Sequence, residues 1–192
     1  MKKLYLLTAC LVAFVATQAQ TVNLSEYAAE KYNWNGDEKP ATTSYEMDVP
    51  YAQINGFRFY NNNDDVCSIA YNKKTVDGTK YFACFKTQGG SKWEDSETPT
   101  SRIIEVDVTG PCTISAIMAS SSKSDDRELY ISTAKVDSDY DKDDESYVGC
   151  IDVKAADGTK QYTFDYQGEA NTLYLYSHTG GINIYTISVT YK

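Results

Sequence analysis

The chain has 192 residues, and its 27 acidic residues outnumber its 18 lysines and arginines, which gives a formal net charge of -9. This charge excludes a general nucleic-acid binder, because such a protein needs a basic surface. The chain contains one histidine, which excludes a histidine cluster or a multi-histidine metal centre. Hydrophobic residues at 42% and charged residues at 23% are typical of a folded chain, and the length fits one domain or one domain with a short appendage.

The N-terminus has the pattern of an export signal. Lys2 and Lys3 precede an apolar run from Leu4 to Ala16, and Thr17-Gln18-Ala19 fits a signal-peptidase site. We therefore expect residues 1–19 to be a signal peptide and the mature protein to be secreted, periplasmic or attached to the cell surface. Leu7-Thr8-Ala9-Cys10 also resembles a lipoprotein box, which is the alternative. No run is long enough for a transmembrane segment.

Four cysteines remain after signal removal: Cys67, Cys84, Cys112 and Cys150. An oxidising compartment would permit disulfides, but the spacing does not determine their pairing. The absence of a CxxC pair argues against zinc. Because Cys84 and Cys112 lie in apolar segments, the sequence slightly favours free buried thiols.

Short segments with alternating apolar and polar residues recur along the mature chain and predict half-buried strands. The predicted strands are Ile54 to Tyr60, Val66 to Tyr71, Lys80 to Thr87, residues 104–108, 112–118, 129–131, 162–166 and 173–176, and Ile182 to Tyr191.

Turn signals separate these strands. Asp77-Gly78 and Asp157-Gly158 predict two hairpins, and a single helix is predicted at Ser25 to Tyr32 with Ser25 as its N-cap. Regular strands without further helices predict an all-β fold, an antiparallel β-sandwich that is jelly-roll-like. Residues 20–192 would form this single domain, and the pattern leaves open how residues 20–45 join it.

No residue pattern selects a catalytic site. His178 precedes Thr179-Gly180-Gly181 and is interpreted as a hairpin-loop residue, and its neighbour Ser177 would point to the opposite face of a strand. Carboxylates are plentiful, so no single pair stands out as a glycosidase dyad.

An acidic stretch supplies the weak metal candidates Asp139, Asp141 and Asp143. Alternating carboxylates can bind Ca²⁺, but Lys142 and Val148 break the EF-hand pattern. A solvated loop is the favoured interpretation, so no cofactor is expected beyond a possible Ca²⁺.

Aromatic residues give the main indication of ligand binding. Trp34 and Trp93 lie in polar, loop-like segments, where a sugar ring could stack on them while polar neighbours bind its hydroxyls. The alternative for Trp93 is a structural role. Arg127 could bind sugar hydroxyls or instead pair with Asp125 or Asp126. Tyrosines at 60, 130, 174 and 176 are expected on outer strand faces, where β-propensity alone would place them.

Several segments together resemble the non-catalytic β-sandwich module of secreted pectate lyases and pectin esterases from Bacteroidetes-type bacteria. The segments are Ile54 to Tyr60, Asp107 to Ile114, Ser120 to Leu129, Leu173 to Ser177 and the ending Gly181-Ile182-Asn183-Ile184-Tyr185. The resemblance implies a jelly-roll-like accessory domain that binds carbohydrate. It departs from that context because no catalytic domain is attached.

The leading hypothesis is an exported, monomeric and non-catalytic protein that binds a polysaccharide by aromatic stacking. The predicted contacts are Trp93, Trp34, Arg127, Asn183 and Tyr185, and Tyr185 could instead belong to the core. Because the negative charge would repel a polyanion at long range, neutral glycans are favoured over acidic ones. The alternatives are a structural or protein-interaction module of a cell-surface assembly, and a small carboxylate-dependent lyase or hydrolase.

Overall fold

Two antiparallel β-sheets pack face to face in the computed structural model, which describes residues 19–64, 66–93, 99–134 and 142–191. Residues 1–18, which include the lipoprotein box and all but the last residue of the expected signal peptide, lie outside the described residues. The strands are β1 (Gln20–Asn23), β2 (Ser44–Glu46), β3 (Tyr51–Ile54), β4 (Phe57–Tyr60), β5 (Ser68–Val76), β6 (Thr79–Lys86), β7 (Lys92–Trp93), β8 (Pro99–Ser101), β9 (Ile103–Val108), β10 (Cys112–Ser120), β11 (Arg127–Ser132), β12 (Tyr147–Val153), β13 (Lys160–Tyr166), β14 (Asn171–Ser177) and β15 (Ile182–Tyr191). One α-helix, α1, spans Leu24–Tyr32, and a 3₁₀ turn spans Ala155–Asp157.

The chain crosses repeatedly between the two sheets. Sheet I has the order β13-β10-β15-β6-β5-β2, with β1 also paired to β15, and sheet II has the order β12-β11-β14-β9-β4-β3. Strands β9 to β15 alternate between the sheets except at the β11–β12 pair. This arrangement confirms the predicted all-β, jelly-roll-like antiparallel sandwich.

The main core lies between the sheets and follows the alternation read from the sequence. Ile104 and Val106 of β9 and Leu173 and Leu175 of β14 point inward and are at most 1% exposed. Each such side chain contributes about 1.5–3 kcal/mol through burial. The polar residues between them therefore face away from the core.

The N-terminal segment is part of sheet I. Strand β1 pairs with β15 in the register Gln20 with Val189. The helix that follows begins one residue earlier than predicted, and its N-cap is Asn23, whose side chain accepts a hydrogen bond from the Ser25 amide at 3.0 Å. The prediction of Ser25 as the cap is therefore wrong.

Ser25 instead joins the helix to β6. Its buried Oγ accepts hydrogen bonds from the backbone amides of Phe82 at 2.8 Å and Ala83 at 3.2 Å. These amides lie beside the local irregularity of the β5–β6 pair, so the helix supplies the partner that a regular strand would supply.

The turn predictions were partly wrong. Within the predicted strand Ile54 to Tyr60, Ile54 is the last residue of β3 and Phe57 begins β4, because Asn55 and Gly56 both have positive φ and reverse the chain. Asp77-Gly78 closes the β5–β6 hairpin as expected. Asp157-Gly158 does not close a hairpin, because β12 and β13 belong to different sheets.

No disulfide links Cys67, Cys84, Cys112 and Cys150. Cys67, Cys84 and Cys112 are buried, and Cys150 is partly exposed. This confirms the preference for free thiols over disulfides.

Candidate functional site

Trp34 is buried rather than presented to a ligand. It is 4% exposed, and its ring lies 5.6 Å from that of Tyr32, 5.8 Å from that of Tyr45 and 5.7 Å from that of Tyr71. The expectation that a polar loop would leave Trp34 uncovered is wrong, because three tyrosines from neighbouring elements surround it. Trp34 therefore anchors the loop that follows α1.

Local backbone chemistry shapes this loop. Asn33 ends α1 in the left-handed conformation, at φ 57°. The side-chain oxygen of Asn35 accepts hydrogen bonds from the amides of Asp37 at 3.0 Å and Glu38 at 3.3 Å, which forms an Asx turn. Gly36 has φ +73° and lies against the ring of Phe82.

The loop and the β5–β6 hairpin enclose a cavity of about 290 Å³, which we call the lysine groove. Its volume is near the lower end of the range of small-molecule sites. Its lining residues are Asn35, Gly36, Asp37, Lys73, Lys74, Thr75, Lys80, Tyr81 and Phe82.

Strand register explains how these residues meet. Thr75 pairs with Lys80 across the hairpin, and Phe82 lies two positions after Lys80, so the three side chains share one face. Phe82 is half-buried, whereas Lys80 and Thr75 are exposed. Lys73 reaches from the β5 irregularity and donates a hydrogen bond from Nζ to the main-chain oxygen of Asp37 at 3.2 Å. The groove therefore combines an aromatic ring with hydroxyl and ammonium groups.

A second cavity, also of about 290 Å³, lies beside α1. Three of its lining residues are already engaged, because Asn23 donates from Nδ2 to Glu26 and Asn55 donates to the main-chain oxygen of Thr21. Its lining residues are Asn23, Glu26, Tyr27, Glu30, Gln53, Ile54 and Asn55. With two carboxylates and one aromatic ring, it is more acidic and less aromatic than the lysine groove.

The segments that carry Trp93, Arg127 and Asn183 meet at the other end of β6. Ser91 donates a backbone hydrogen bond to Ser177 at 2.7 Å, and Ser121 donates one to Gly181 at 3.0 Å. These contacts bring three inter-strand connections together. For Trp93 the structure describes the backbone only, so its stacking role stays a prediction.

Arg127 takes the ion-pair alternative. Its guanidinium lies 3.4 Å from Asp125 Oδ2 and donates to the main-chain oxygen of Asp126 at 2.9 Å. The hydroxyls of Ser122 and Ser124, and then Arg127, lower the pKa of Asp125. Arg127 is thereby held within its own loop.

Asn183 and Tyr185 are two positions apart on β15 and share the outer face of sheet I. Asn183 is partly buried, opposite Lys86 of β6. Tyr185 is fully buried, with its ring 6.3 Å from that of Tyr81, so the contact role predicted for Tyr185 is wrong and the core alternative holds. Burial also raises the pKa of the Tyr185 phenol.

The tyrosines predicted on outer faces lie together outside sheet II. We call Tyr60, Tyr130, Tyr174 and Tyr176 the tyrosine face; none is more than 8% exposed. Tyr130 packs edge to face on Tyr176 with centroids 5.8 Å apart. The closed packing supports the structural interpretation of these rings.

Carboxylates engage the hydroxyls of this face. Tyr60 donates to Glu105 at 2.8 Å, and Tyr130 donates to Glu128 at 3.0 Å. Burial, followed by the Glu105 contact, raises the pKa of Tyr60. Arg58 also donates to Glu105, which is 7% exposed as a residue.

Asp139 and Asp141 lie outside the described residues, and Asp143 is exposed. Within the described ranges, one trio of possible metal ligands comes together: Glu128, Cys150 and Asp152. Glu128 already pairs with Lys142 at 2.6 Å, which lowers the pKa of its carboxyl. One carboxylate of the trio is therefore already engaged by a lysine.

His178 is an exposed residue in a connection between the two sheets, not in a hairpin as expected, because β14 and β15 lie in different sheets. Its ring stacks on Tyr130, with centroids 5.8 Å apart and planes within 6°. The adjacent Ser177 is buried and donates its hydroxyl to the main-chain oxygen of Gly180.

No family model matches the chain, and no curated protein matches it significantly. Solved structures do show likenesses. The CBM22-1 xylan-binding domain of Xyn10C from Paenibacillus barcinonensis is 11% identical, covering 91% of this chain and 95% of that chain, with a TM-score of 0.44. A proposed sugar-binding protein of Bacteroides thetaiotaomicron is 14% identical, covering 81% and 98%, with a TM-score of 0.46.

The CBM6 module of lichenase 5A from Cellvibrio mixtus, solved with cellotriose, is 16% identical, covering 79% of this chain and 99% of that chain, with a TM-score of 0.37. Likenesses this weak assign neither a ligand nor a family to this chain.

Among the described residues, the helices are too short and too polar to cross a membrane.

The sequence interpretation missed the residues that line the lysine groove. Lys80 and Phe82 were treated only as part of a strand, Asn35 only as a polar neighbour of Trp34, and Asp37 was not considered. The available signal was the Asn-Gly turn after Trp34, which predicts a shaped loop but not the strand it rests on.

Proposed function

We propose that this protein is an exported, non-catalytic carbohydrate-binding protein whose glycan lies in the lysine groove against the ring of Phe82. The observation that carries the proposal is one cavity of about 290 Å³ that combines a half-buried aromatic ring with amide, hydroxyl and ammonium groups. Sites for small polar ligands have this composition, in which an apolar wall is joined by a few oriented polar groups.

Each part of a sugar has a counterpart in the groove. The apolar C–H face of a pyranose ring can lie on Phe82, and the hydroxyls can bond to Thr75 and Asn35. The side-chain oxygen of Asn35 is occupied by backbone amides, so its amide nitrogen is the group offered to a ligand. Trp34 does not contact the ligand in this proposal; its packing on three tyrosines holds the loop after α1 in position beside the groove.

The non-catalytic part of the proposal rests on the carboxylates that line the groove. Glycoside hydrolysis uses two carboxyl groups that flank the scissile bond. Asp37 is the one carboxylate among the residues that line the lysine groove. We therefore expect no release of reducing ends from polysaccharides that the protein binds.

The proposal is tested by glycan-array screening of residues 20–192, followed by calorimetric titration of the best glycan. The Phe82→Leu variant keeps the bulk but removes the flat ring, and should bind about threefold to tenfold more weakly. The matched control is Phe164→Leu, which changes a half-buried phenylalanine on β13, three strands away from β6 in sheet I.

Binding that Phe82→Leu weakens and Phe164→Leu leaves unchanged supports the proposed site. Failure to bind any glycan would contradict the function and favour the alternative of a structural or protein-interaction module. Glycan binding that both variants leave unchanged would place the site elsewhere.

A further inference from the structure

The lysine groove is locally basic, in contrast to the rest of the chain. Three lysines line it against one aspartate, whereas the whole chain has a net charge of -9. Glu38 and Asp77 are close in sequence but are not among the lining residues.

None of the groove lysines has a carboxylate partner within the described part of the chain. Lys73, Lys74 and Lys80 are exposed and form none of the ion pairs found there. Outside the groove, four lysines form ion pairs, such as Lys31 at 3.3 Å from Asp48 and Lys154 at 3.1 Å from Asp126, and others such as Lys86 form none among the described residues. The groove therefore retains uncompensated positive charge where carboxylates are abundant.

Local charge outweighs net charge at the distances that matter for a bound ligand. At physiological ionic strength the screening length is about 8 Å, so carboxylates farther away act weakly on a group in the groove. Lysines that line the cavity act on that group directly. The net charge reduces the rate of encounter with a polyanion but does not determine what the groove holds.

We infer that the lysine groove binds an anionic sugar, one that carries a carboxylate or a sulfate, with the acidic group beside Lys73 and Lys80 and the ring face on Phe82. Lys74 pairs with Tyr81 across the hairpin, so its side chain lies on the opposite face of the sheet. This inference rests on the proposed function and names its substrate class. It replaces the expectation of a neutral glycan, which used the charge of the whole chain.

The test compares two trisaccharides of the same linkage, an α-1,4-galacturonate and its neutral galactose counterpart, by calorimetric titration in EDTA. We expect the acidic trisaccharide to bind at least about tenfold more tightly, and increasing salt to weaken it selectively. The Lys73→Gln/Lys80→Gln variant should weaken binding of the acidic trisaccharide about tenfold and binding of the neutral one less than about threefold. Lys86→Gln is the matched control, because Lys86 is exposed on β6 but outside the groove.

A sulfated galactose trisaccharide and polyglutamate complete the experiment. Tight binding of the sulfated sugar would support the inference and identify sulfate as a source of the charge. Equal binding of acidic and neutral trisaccharides would overturn the inference while the proposed function stands. Polyglutamate binding as tight as that of the acidic sugar would overturn it by showing recognition of charge alone. Failure of every sugar, on the array as well, would overturn the proposed function itself.

Discussion

Gly36 lies so close to Phe82 that a Cβ built on the glycine would be 2.5 Å from Cδ1 of the ring. The same glycine has φ +73°, a conformation that other residues rarely adopt. Glycine is therefore required at position 36 for two reasons: the backbone lies against the Phe82 ring, and it has a left-handed conformation. This contact brings the loop after α1 against the β5–β6 hairpin and forms one wall of the lysine groove.

Replacing Gly36 should therefore destabilise the protein by more than backbone strain alone. Gly36→Ala should lower the free energy of unfolding by about 1–2 kcal/mol because of the positive φ, and by a further amount because the Phe82 ring must move. Gly78→Ala is the control, because Gly78 has φ +81° and no heavy atom within 4 Å of its Cβ position. Urea unfolding of both variants measures the difference, and equal losses would contradict the role of the Phe82 contact.

Trp34 should be needed for the fold rather than for direct contact with a ligand. Trp34→Ala removes a buried ring that packs on three tyrosines and should lower the free energy of unfolding by about 3–5 kcal/mol. Trp34→Phe should lose less, because it retains an aromatic ring in the same position. Glycan affinity of folded Trp34→Phe should stay close to that of the original protein; a tenfold loss with unchanged stability would show that Trp34 contacts the sugar.

Glu105 should contribute more to stability than its neighbour in the same ion-pair network. Glu105→Gln removes the charge that Arg58 and the Tyr60 hydroxyl share, and should cost about 1.5–3 kcal/mol. Asp107→Asn alters the exposed partner of Arg58, whose side chain is 63% accessible, and should cost less than about 1 kcal/mol. Chemical denaturation compares the two variants, and a larger loss for Asp107→Asn would be the opposite of this expectation.

Alkaline pH should destabilise the protein through its shielded tyrosines. Burial raises the pKa of Tyr32 to about 12 and also raises the pKa of Tyr60 and Tyr185. An unfolded tyrosine ionises near a pKa of about 10, so the folded state binds more protons above that pH. This stabilising contribution is complete below about pH 10 and is lost as the pH rises towards the folded pKa values.

Tyrosinate absorbance during a pH titration measures this effect. The folded protein should show a fraction of tyrosines that ionise late, and in urea all tyrosines should ionise together near pH 10. A single transition near pH 10 in the folded protein would contradict the burial of these rings.

One cysteine should react before the others. Cys150 is partly exposed, whereas burial raises the pKa of the Cys84 thiol to about 12, which removes its reactive thiolate at neutral pH. In a protein of residues 20–192, Ellman's reagent should therefore label one thiol quickly in the folded state and the remaining three after unfolding. Cys150→Ser should abolish the rapid phase; a rapid phase that persists in this variant would place the exposed thiol elsewhere.

The predicted strands follow from a local property, the alternation of apolar and polar residues, which determines the face to which each side chain points. Val106 and Leu173 could be assigned to the core in this way, and Tyr130 and Tyr176 to the outer face. Strand β2, with its pattern of partly exposed residues, gave no such signal and is formed through pairing with β5. Asn55-Gly56 is a typical turn dipeptide, but the sequence prediction included it in a continuous strand from Ile54 to Tyr60.

The candidate site depends on contacts that local patterns do not encode. Lys80 and Asn35 are 45 positions apart, and they meet because Trp34 finds partners on α1, β2 and β5. The sequence drew attention to Trp34 by its polar surroundings, and those polar neighbours, rather than the indole, line the cavity. Predicting this outcome would have required knowing which tyrosines enclose the ring.

The antiparallel register that places Gln20 beside Val189 also determines how the domain would respond to mechanical force. A pull applied at residue 20 and residue 191 acts on the same end of the β1–β15 ribbon. Its backbone hydrogen bonds would then break one after another, as in a zipper, instead of sharing the load in shear. Stretching between these two points would therefore peel away β1 first, while the hairpin that bears the lysine groove remains folded.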